Sequence, residues 1–196
     1  MALHDPIDGV ALRLRCVEAS DAQRVFDLRT DPSLTRFLPP LQGVPSDQAR
    51  WIESQRQKPN DFYFAIEKKH KPGGEAEGFL GLYNFVGDDV ATAEWGRWIL
   101  AKNSLASVES AYLLYRFAFE TLSLGRVVCH SLLANETVVS FHDRCGLERI
   151  RTLEKEFNIR GVEYDAVEHC VTASNWPSVK STMLGWVERF APLLAR

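Results

Sequence analysis

One stretch, Glu94 to Leu147, limits the folds open to this chain more than any other. Glu94-Trp95-Gly96-Arg97-Trp98-Ile99-Leu100 reads as a strand, and Lys102-Asn103-Ser104-Leu105-Ala106-Ser107 as a turn of mostly small and polar residues. From Val108 to Leu122 apolar side chains recur at helical spacing: Val108, Ala111, Tyr112, Tyr115, Phe119 and Leu122, with Leu114, Phe117 and Ala118 widening the stripe. A helix that is apolar over most of its surface has to be buried. Arg126 to Leu133 is a second strand, and Asn135 opens a second helix that Gly146 closes. A strand that runs through a turn into a helix offers unpaired backbone amides and the positive end of a helix dipole, which together make an anion site.

The rest of the chain supplies a sheet for that buried helix. Val10 to Val17 alternates apolar Leu12, Leu14 and Cys16 with Arg13 and Arg15, as a strand does. Ser20 is placed to cap a helix from Asp21 to about Arg29. A short helical piece is expected over Ser33 to Phe37 before Pro39-Pro40. Ser46 is placed to cap another helix, Asp47 to Gln57, which carries Trp51. Asp61 to Lys69 and Phe79 to Phe85 read as paired strands around Lys71-Pro72-Gly73-Gly74, and Gly87-Asp88-Asp89 as the turn into the Glu94 strand. This predicts three consecutive antiparallel strands before the long helix. Beyond Leu147 come extended segments over Glu148 to Phe157 and Tyr164 to Thr172. A last helix starts at Ser174-Asn175-Trp176-Pro177, with Met183, Trp186, Val187 and Phe190 on one face. That helix either packs on the domain or pairs two subunits in a homodimer; packing on the same domain is the expectation.

The fold class is therefore α+β: a mixed, mostly antiparallel sheet of about seven strands flanked by helices, in three layers. Residues 1–176 form the domain and 177–196 the additional helix. The 196 residues suit one domain, which at this size buries roughly 70% of its unfolded surface. A net charge of −3 disfavours a general nucleic-acid binder. The sequence lacks the apolar run of about 18 residues that a membrane span needs. Met1 to Gly9, with His4, Asp5 and Asp8, lacks a signal-peptide pattern. Cys16, Cys129, Cys145 and Cys170 are widely spaced with no CxxC, and read as reduced thiols of a cytoplasmic protein. No His/Cys spacing suggests a metal site.

Two segments carry a resemblance. Asn135-Glu136-Thr137-Val138-Val139-Ser140-Phe141-His142-Asp143-Arg144-Cys145-Gly146-Leu147 has an Asn, a hydrophobic helix, then Gly and an apolar residue. Ala118-Phe119-Glu120-Thr121-Leu122 is followed by Leu124-Gly125-Arg126-Val127. Both resemble the core of the Gcn5-related N-acetyltransferase (GNAT) superfamily, which moves an acetyl group from acetyl-CoA to an amine. The resemblance covers about residues 10 to 176. It is closest to the ribosomal-protein N-terminal acetyltransferases and to the acetyltransferases of nucleotide-linked amino sugars.

The resemblance implies roles for particular residues. Ile99, Leu100 and Ala101 would meet the pantetheine arm of acetyl-CoA through their backbone. The family's phosphate loop has Arg or Gln, two variable residues, Gly, one variable residue, then Gly or Ala; here Lys102, Leu105 and Ser107 stand at those places. The two glycines, which let backbone approach the pyrophosphate, are thus missing. Lys102 offers a charge instead, and Ser104 and Ser107 offer hydroxyls. Asn135 matches the family's cofactor Asn and is also a natural N-cap. His142 stands where many members have the tyrosine that protonates the leaving thiolate, and a half-buried histidine can do this near neutrality. Glu94 is placed to take a proton from the amine through water. Arg29, Phe37 and Trp51 lie on the segments that wall the acceptor site.

Three functional readings follow. The leading one is an acetyl-CoA-dependent N-acetyltransferase acting on a primary amine of a small molecule, such as a nucleotide-linked amino sugar. Another is a protein N-terminal α-amine acetyltransferase. A peptide needs an open slot, whereas a nucleotide sugar needs a pocket closed by the loop at residues 30–45. The last is a non-catalytic binding module, motivated by the missing glycines and the added helix.

Overall fold

The computed structural model describes residues 5–87 and 91–194. The Asp88-Asp89 part of the expected turn lies outside the described residues. The described residues form one central sheet of eight strands in the order β1-β2-β3-β4-β5-β6-β8-β7. The strands are β1 (Ile7–Asp8), β2 (Leu12–Cys16), β3 (Phe62–Lys68), β4 (Gly78–Val86), β5 (Thr92–Leu100), β6 (Arg126–Leu132), β7 (Glu148–Ile159) and β8 (Val162–Thr172). Neighbours are antiparallel throughout except β5 and β6, which are parallel. Seven of these are the strands read from sequence. The eighth, β1, is two residues long and pairs Ile7 with Leu14, too short to leave an alternation of its own.

Alternation within the strands divides the core. Phe62, Phe64, Ile66, Leu80, Leu82 and Trp95 face α3 (Ser107–Arg116), where Leu113, Leu114 and Tyr115 are fully buried. Each large apolar side chain so buried contributes about 1.5–3 kcal/mol. Tyr63, Ala65, Phe79 and Ile99 face the other way, against Val25 and Leu28 of α1 (Ala22–Thr30) and Ile52 of α2 (Pro45–Arg56). α3 runs on into a π-helical turn over Phe117–Thr121. The last helix, α5 (Trp176–Leu194), packs on α3 and buries Trp176, Val179, Met183 and Val187 in the same core. Among the described residues no helix is long and apolar enough to cross a membrane.

Three local expectations need correction. Residues 33–37 form turns rather than a helix. The Asp31 carboxylate accepts the backbone N–H and the hydroxyl of Ser33, both at 2.8 Å, and such Asx bonding competes with helix formation. Ser46 does not cap α2. Pro45 takes the first helical position, and Asp47 reaches back to accept the Val44 N–H at 2.9 Å. Ser20 lies inside a 3-10 turn (Ala19–Asp21), and the Asp21 carboxylate accepts the Glu18 N–H at 2.8 Å.

The feature that makes a site is a split in the sheet. Parallel pairing of β5 with β6 covers only Thr92, Ala93 and Glu94, opposite Arg126, Val127 and Val128. Past that point β5 bulges: its register against β4 shifts between Gly96 and Ile99, and Arg97 is left-handed at φ 50°. β6 stays paired with β8 along its whole length. β5 and β6 therefore diverge and leave residues 95–100 of β5 without a strand on that side.

Candidate active site

Three cavities meet at this split. The fork itself holds about 140 Å³, between Trp95, Gly96, Arg97 and Trp98 of β5 and Cys129, His130, Ser131 and Leu132 of β6, with Asn135, Val138 and His142 behind. Phe37, Leu38, Trp98, Asn135 and Val138 carry it into a groove of about 550 Å³ along the end of β5 and α4 (Glu136–Arg144). Arg97 joins the fork to a cavity of about 500 Å³ under α1 and α2, lined by Arg29, Trp51, Tyr63 and Leu41 among others. Volumes of this size suit small ligands.

The groove gathers most of the residues that sequence assigned to the cofactor. Ile99, Leu100, Ala101, Lys102, Ser104, Ser107 and Asn135 all line it; Leu105 does not, and is 42% exposed. The turn needs no glycine at positions 105 or 107, because its left-handed residue is Asn103, at φ 62°. Asparagine tolerates that conformation better than most residues. The Ser104 hydroxyl is engaged: it donates to Glu77 Oε2 at 2.6 Å and accepts the Ala106 N–H at 3.2 Å. Ser107 opens α3, where the first amides have no partner within the helix. Asn135 precedes α4 without a side-chain capping bond, so its amide group is left to the groove. Lys102 and Arg36 put positive charge along it, while Leu34, Phe37, Trp98 and Phe141 make it apolar. A split strand edge, a spare amide and two cations fit a pantetheine arm followed by a pyrophosphate.

His142 lines the fork but is only 2% exposed. Its Nε2 lies 3.8 Å from Cys129 Sγ, its Nδ1 has no partner among the described residues, and Trp95 packs edge-on at 5.5 Å. Burial, with His169 nearby, pushes its pKa down to about 3. Instead of the half-buried histidine expected from sequence, the ring is neutral at any working pH and can offer a hydrogen bond but no titrating proton.

Glu94 is tied to a histidine that sequence reading left without a role. Glu94 Oε1 is 3.3 Å from His130 Nδ1, and His130 Nε2 is 3.3 Å from Glu168 Oε2. Asn84 Nδ2 donates to Glu94 at 2.9 Å, the Tyr83 hydroxyl at 3.4 Å, and Arg151 donates to Glu168 at 2.8 Å. Burial pushes the Glu94 carboxyl up, but the hydrogen bonds from His130 and Asn84 outweigh it and the net shift is downward. The hydrogen bond to Glu94 raises His130 against a smaller effect of burial. His130, not Glu94, reaches the fork. The row is thus an imidazole in the cavity wall with a carboxylate 3.3 Å from each ring nitrogen, an arrangement that stabilises the protonated ring.

The three acceptor candidates do not sit together. Arg29 and Trp51 line the cavity under α1 and α2, whereas Phe37 closes the fork and groove and packs edge-on against Tyr164 at 6.2 Å. The loop at residues 31–44 is tied down near its middle by two arginines. Arg29 Nη2 donates to Pro39 O at 3.0 Å, and Arg160 of the β7–β8 turn donates to Arg36 O at 3.3 Å. Arg97 was missed from sequence. It donates to Asp61 Oδ2 at 3.0 Å and lies over the Tyr83 ring at 4.2 Å, between fork and cavity.

A family model described as an acetyltransferase (GNAT) domain matches residues 11–148. Among solved structures, a candidate acetyltransferase from T. thermophilus is 27% identical with a TM-score of 0.76, over 95% of this chain and 99% of that one. Apo FdhC, a nucleotide-linked sugar GNAT, is 24% identical with a TM-score of 0.72, over 97% of this chain and 99% of that one. A mutant of the spermidine N-acetyltransferase SpeG from Vibrio cholerae is 17% identical with a TM-score of 0.72, over 86% of this chain and 97% of that one. Among curated proteins none matches the sequence. Split sheet, groove and family match agree, and the chain belongs to the GNAT acetyltransferase family.

Proposed function

We propose that this protein transfers an acetyl group from acetyl-CoA directly to a primary amine of a small molecule. The observation that carries this reading is the open groove beside the divergent end of β5, continuous with a fork that contains a carboxylate-held histidine. A binding module with a failed cofactor loop is expected to fill the phosphate position; here the 102–107 turn borders open space. The small-molecule acceptor is favoured by the pinned loop at residues 31–44, which walls the site where a peptide needs a slot.

Acetyl-CoA supplies an activated acyl group as a thioester. The groove residues hold it: the edge of residues 98–101, the Asn135 amide, and the charges of Lys102 and Arg36. Such positioning supplies about 7–11 kcal/mol of barrier lowering. The acceptor amine comes to the fork from the Arg97 side. As its nitrogen bonds to the acyl carbon and the carbon–sulfur bond breaks, the proton the nitrogen must lose passes into the row of Glu94, His130 and Glu168, where His130 above its raised pKa holds one ring proton and accepts a second. The imidazolium so formed lies between Glu94 and Glu168 and can return the proton to the departing thiolate. Glu94 acts as the positioning partner. His142, neutral and fixed among Trp95, Phe141 and Cys129, offers one hydrogen-bond donor to the fork. A positioned base typically contributes a factor of about 10²–10⁴.

The test is acetyl-CoA-dependent thiol release over a panel of small primary amines, against a short peptide with a free N-terminus. Acetylation of a small amine with one thiol released per acetyl supports the proposal. Transfer only to the peptide moves the acceptor to the N-terminal class, and no binding of acetyl-CoA returns the protein to the binding-module reading.

A further inference from the structure

We propose that the acceptor carries an anionic group, a phosphate or a carboxylate, and that Arg29 in the cavity behind Arg97 docks it. The inference rests on the acetyl-transfer reading and adds the chemical class of the amine.

Charges around the cavity cancel except one. Arg97 is paired with Asp61 across two bonds, one of 3.0 Å. Asp47 is occupied by Arg50 and by the Val44 N–H. Arg29 lines the same cavity, and among the described residues no carboxylate pairs with it. Of its five N–H groups, one on Nη2 donates to Pro39 O, and its buried Nε has no partner among the described residues. Its place in the last turn of α1 is favourable for a cation but does not satisfy the buried donor. Burial, opposed by Tyr63, already lowers its pKa, and an arginine stays charged regardless. An unneutralised, partly desolvated guanidinium in a concave site is costly unless a ligand completes it, and it matches a carboxylate or phosphate two bonds at a time.

The rest of the cavity suits the body of such a molecule. Trp51, 37% exposed, stands edge-on to Tyr63 at 5.6 Å and offers a ring to a sugar or base. About 500 Å³ is ample for a sugar bearing phosphate, and Arg97 is common to this cavity and the fork. An anion on Arg29 thus leaves the far end of the molecule, with its amine, pointing toward His130. A polyamine would bring a second positive charge against Arg29.

The experiment is calorimetric titration of uridine diphosphate, and separately of succinate, into the protein saturated with CoA, so that the groove's own phosphate site is filled. Wild type, Arg29→Gln and Arg29→Lys are compared. At least one of the two anions is expected to bind wild type, with affinity falling tenfold to a hundredfold in R29Q and less in R29K. Binding of uridine diphosphate alone marks phosphate as the anion, and binding of succinate alone marks carboxylate. If neither binds wild type, or if R29Q binds as well as wild type, the inference is overturned. CoA saturation is measured first, so loss of the cofactor site registers separately as failure of the acetyl-transfer reading.

Discussion

His142→Phe separates a neutral buried imidazole from an acid–base catalyst. The wild-type ring has a folded pKa of about 3. The unfolded value is about 6.5, so only the unfolded chain binds this proton between those limits. Stability from this group is present above about pH 6.5 and is lost as pH falls toward 3. Between pH 8 and pH 5 the loss is about 2 kcal/mol, and its ceiling is on the order of 5 kcal/mol. His130 works in the opposite sense: its raised pKa contributes stability below about 6.5 that is lost as pH rises through the folded value. Comparing His142→Phe with wild type cancels that background. The assay is urea unfolding at pH 8, 6.5, 5.5 and 5. Wild type should lose about 2 kcal/mol more than the variant over that span. Turnover should fall at most about tenfold, the loss of one hydrogen bond, with acetyl-CoA affinity unchanged. Equal pH slopes in the two proteins, or a His142 imidazole resonance titrating near 6.5, would refute the neutral assignment.

Other expectations concern the fork, the groove and the last helix. Glu94→Gln removes the main cause of the raised His130 pKa, so the acidic limb of kcat/KM should move to lower pH and the plateau should fall by about 10²–10³; an unmoved limb removes His130 as the titrating base. Lys102→Ala with Ser107→Asp takes away one positive charge and adds a negative one at the start of α3, so acetyl-CoA affinity should weaken about tenfold or more, read by calorimetry. Met183→Ala opens a cavity where α5 meets the core and should cost about 2–5 kcal/mol in urea unfolding. A negligible change there would mean that α5 is not part of the cooperative unit.

Much of the fold was legible because its signals are local. The α3 stripe is apolar nearly all round, and α4 begins and ends at Glu136 and Arg144 as read from Asn135 and Gly146. The misses came where side chains rather than periodicity decide. Asp31 turns the chain at Ser33, and Pro45 with Asp47 displaces Ser46 as the helix start. The site was legible in part. Most of the groove residues follow one another on β5 and its turn, so one strand assignment places them, and Asn135 joins them from the start of α4. His130 was not, because its partners Glu94 and Glu168 come from strands 36 and 38 residues away. Only the sheet order β5-β6-β8 brings them together. Arg97 was hidden for a similar reason: its direction depends on a bulge, and nothing in Gly96-Arg97-Trp98 announces one. Burial of His142 follows from packing against Trp95 and His169, contacts across the sheet that helical spacing alone does not report.

The central claim is that the split between β5 and β6 receives acetyl-CoA, and amide hydrogen exchange with and without acetyl-CoA tests it most directly. Protection should rise at residues 98–108 and 135–141, along the groove and the start of α3, and stay unchanged in the β7–β8 hairpin. Saturating acetyl-CoA that leaves residues 98–108 unprotected, or protects only a distant surface, would contradict it.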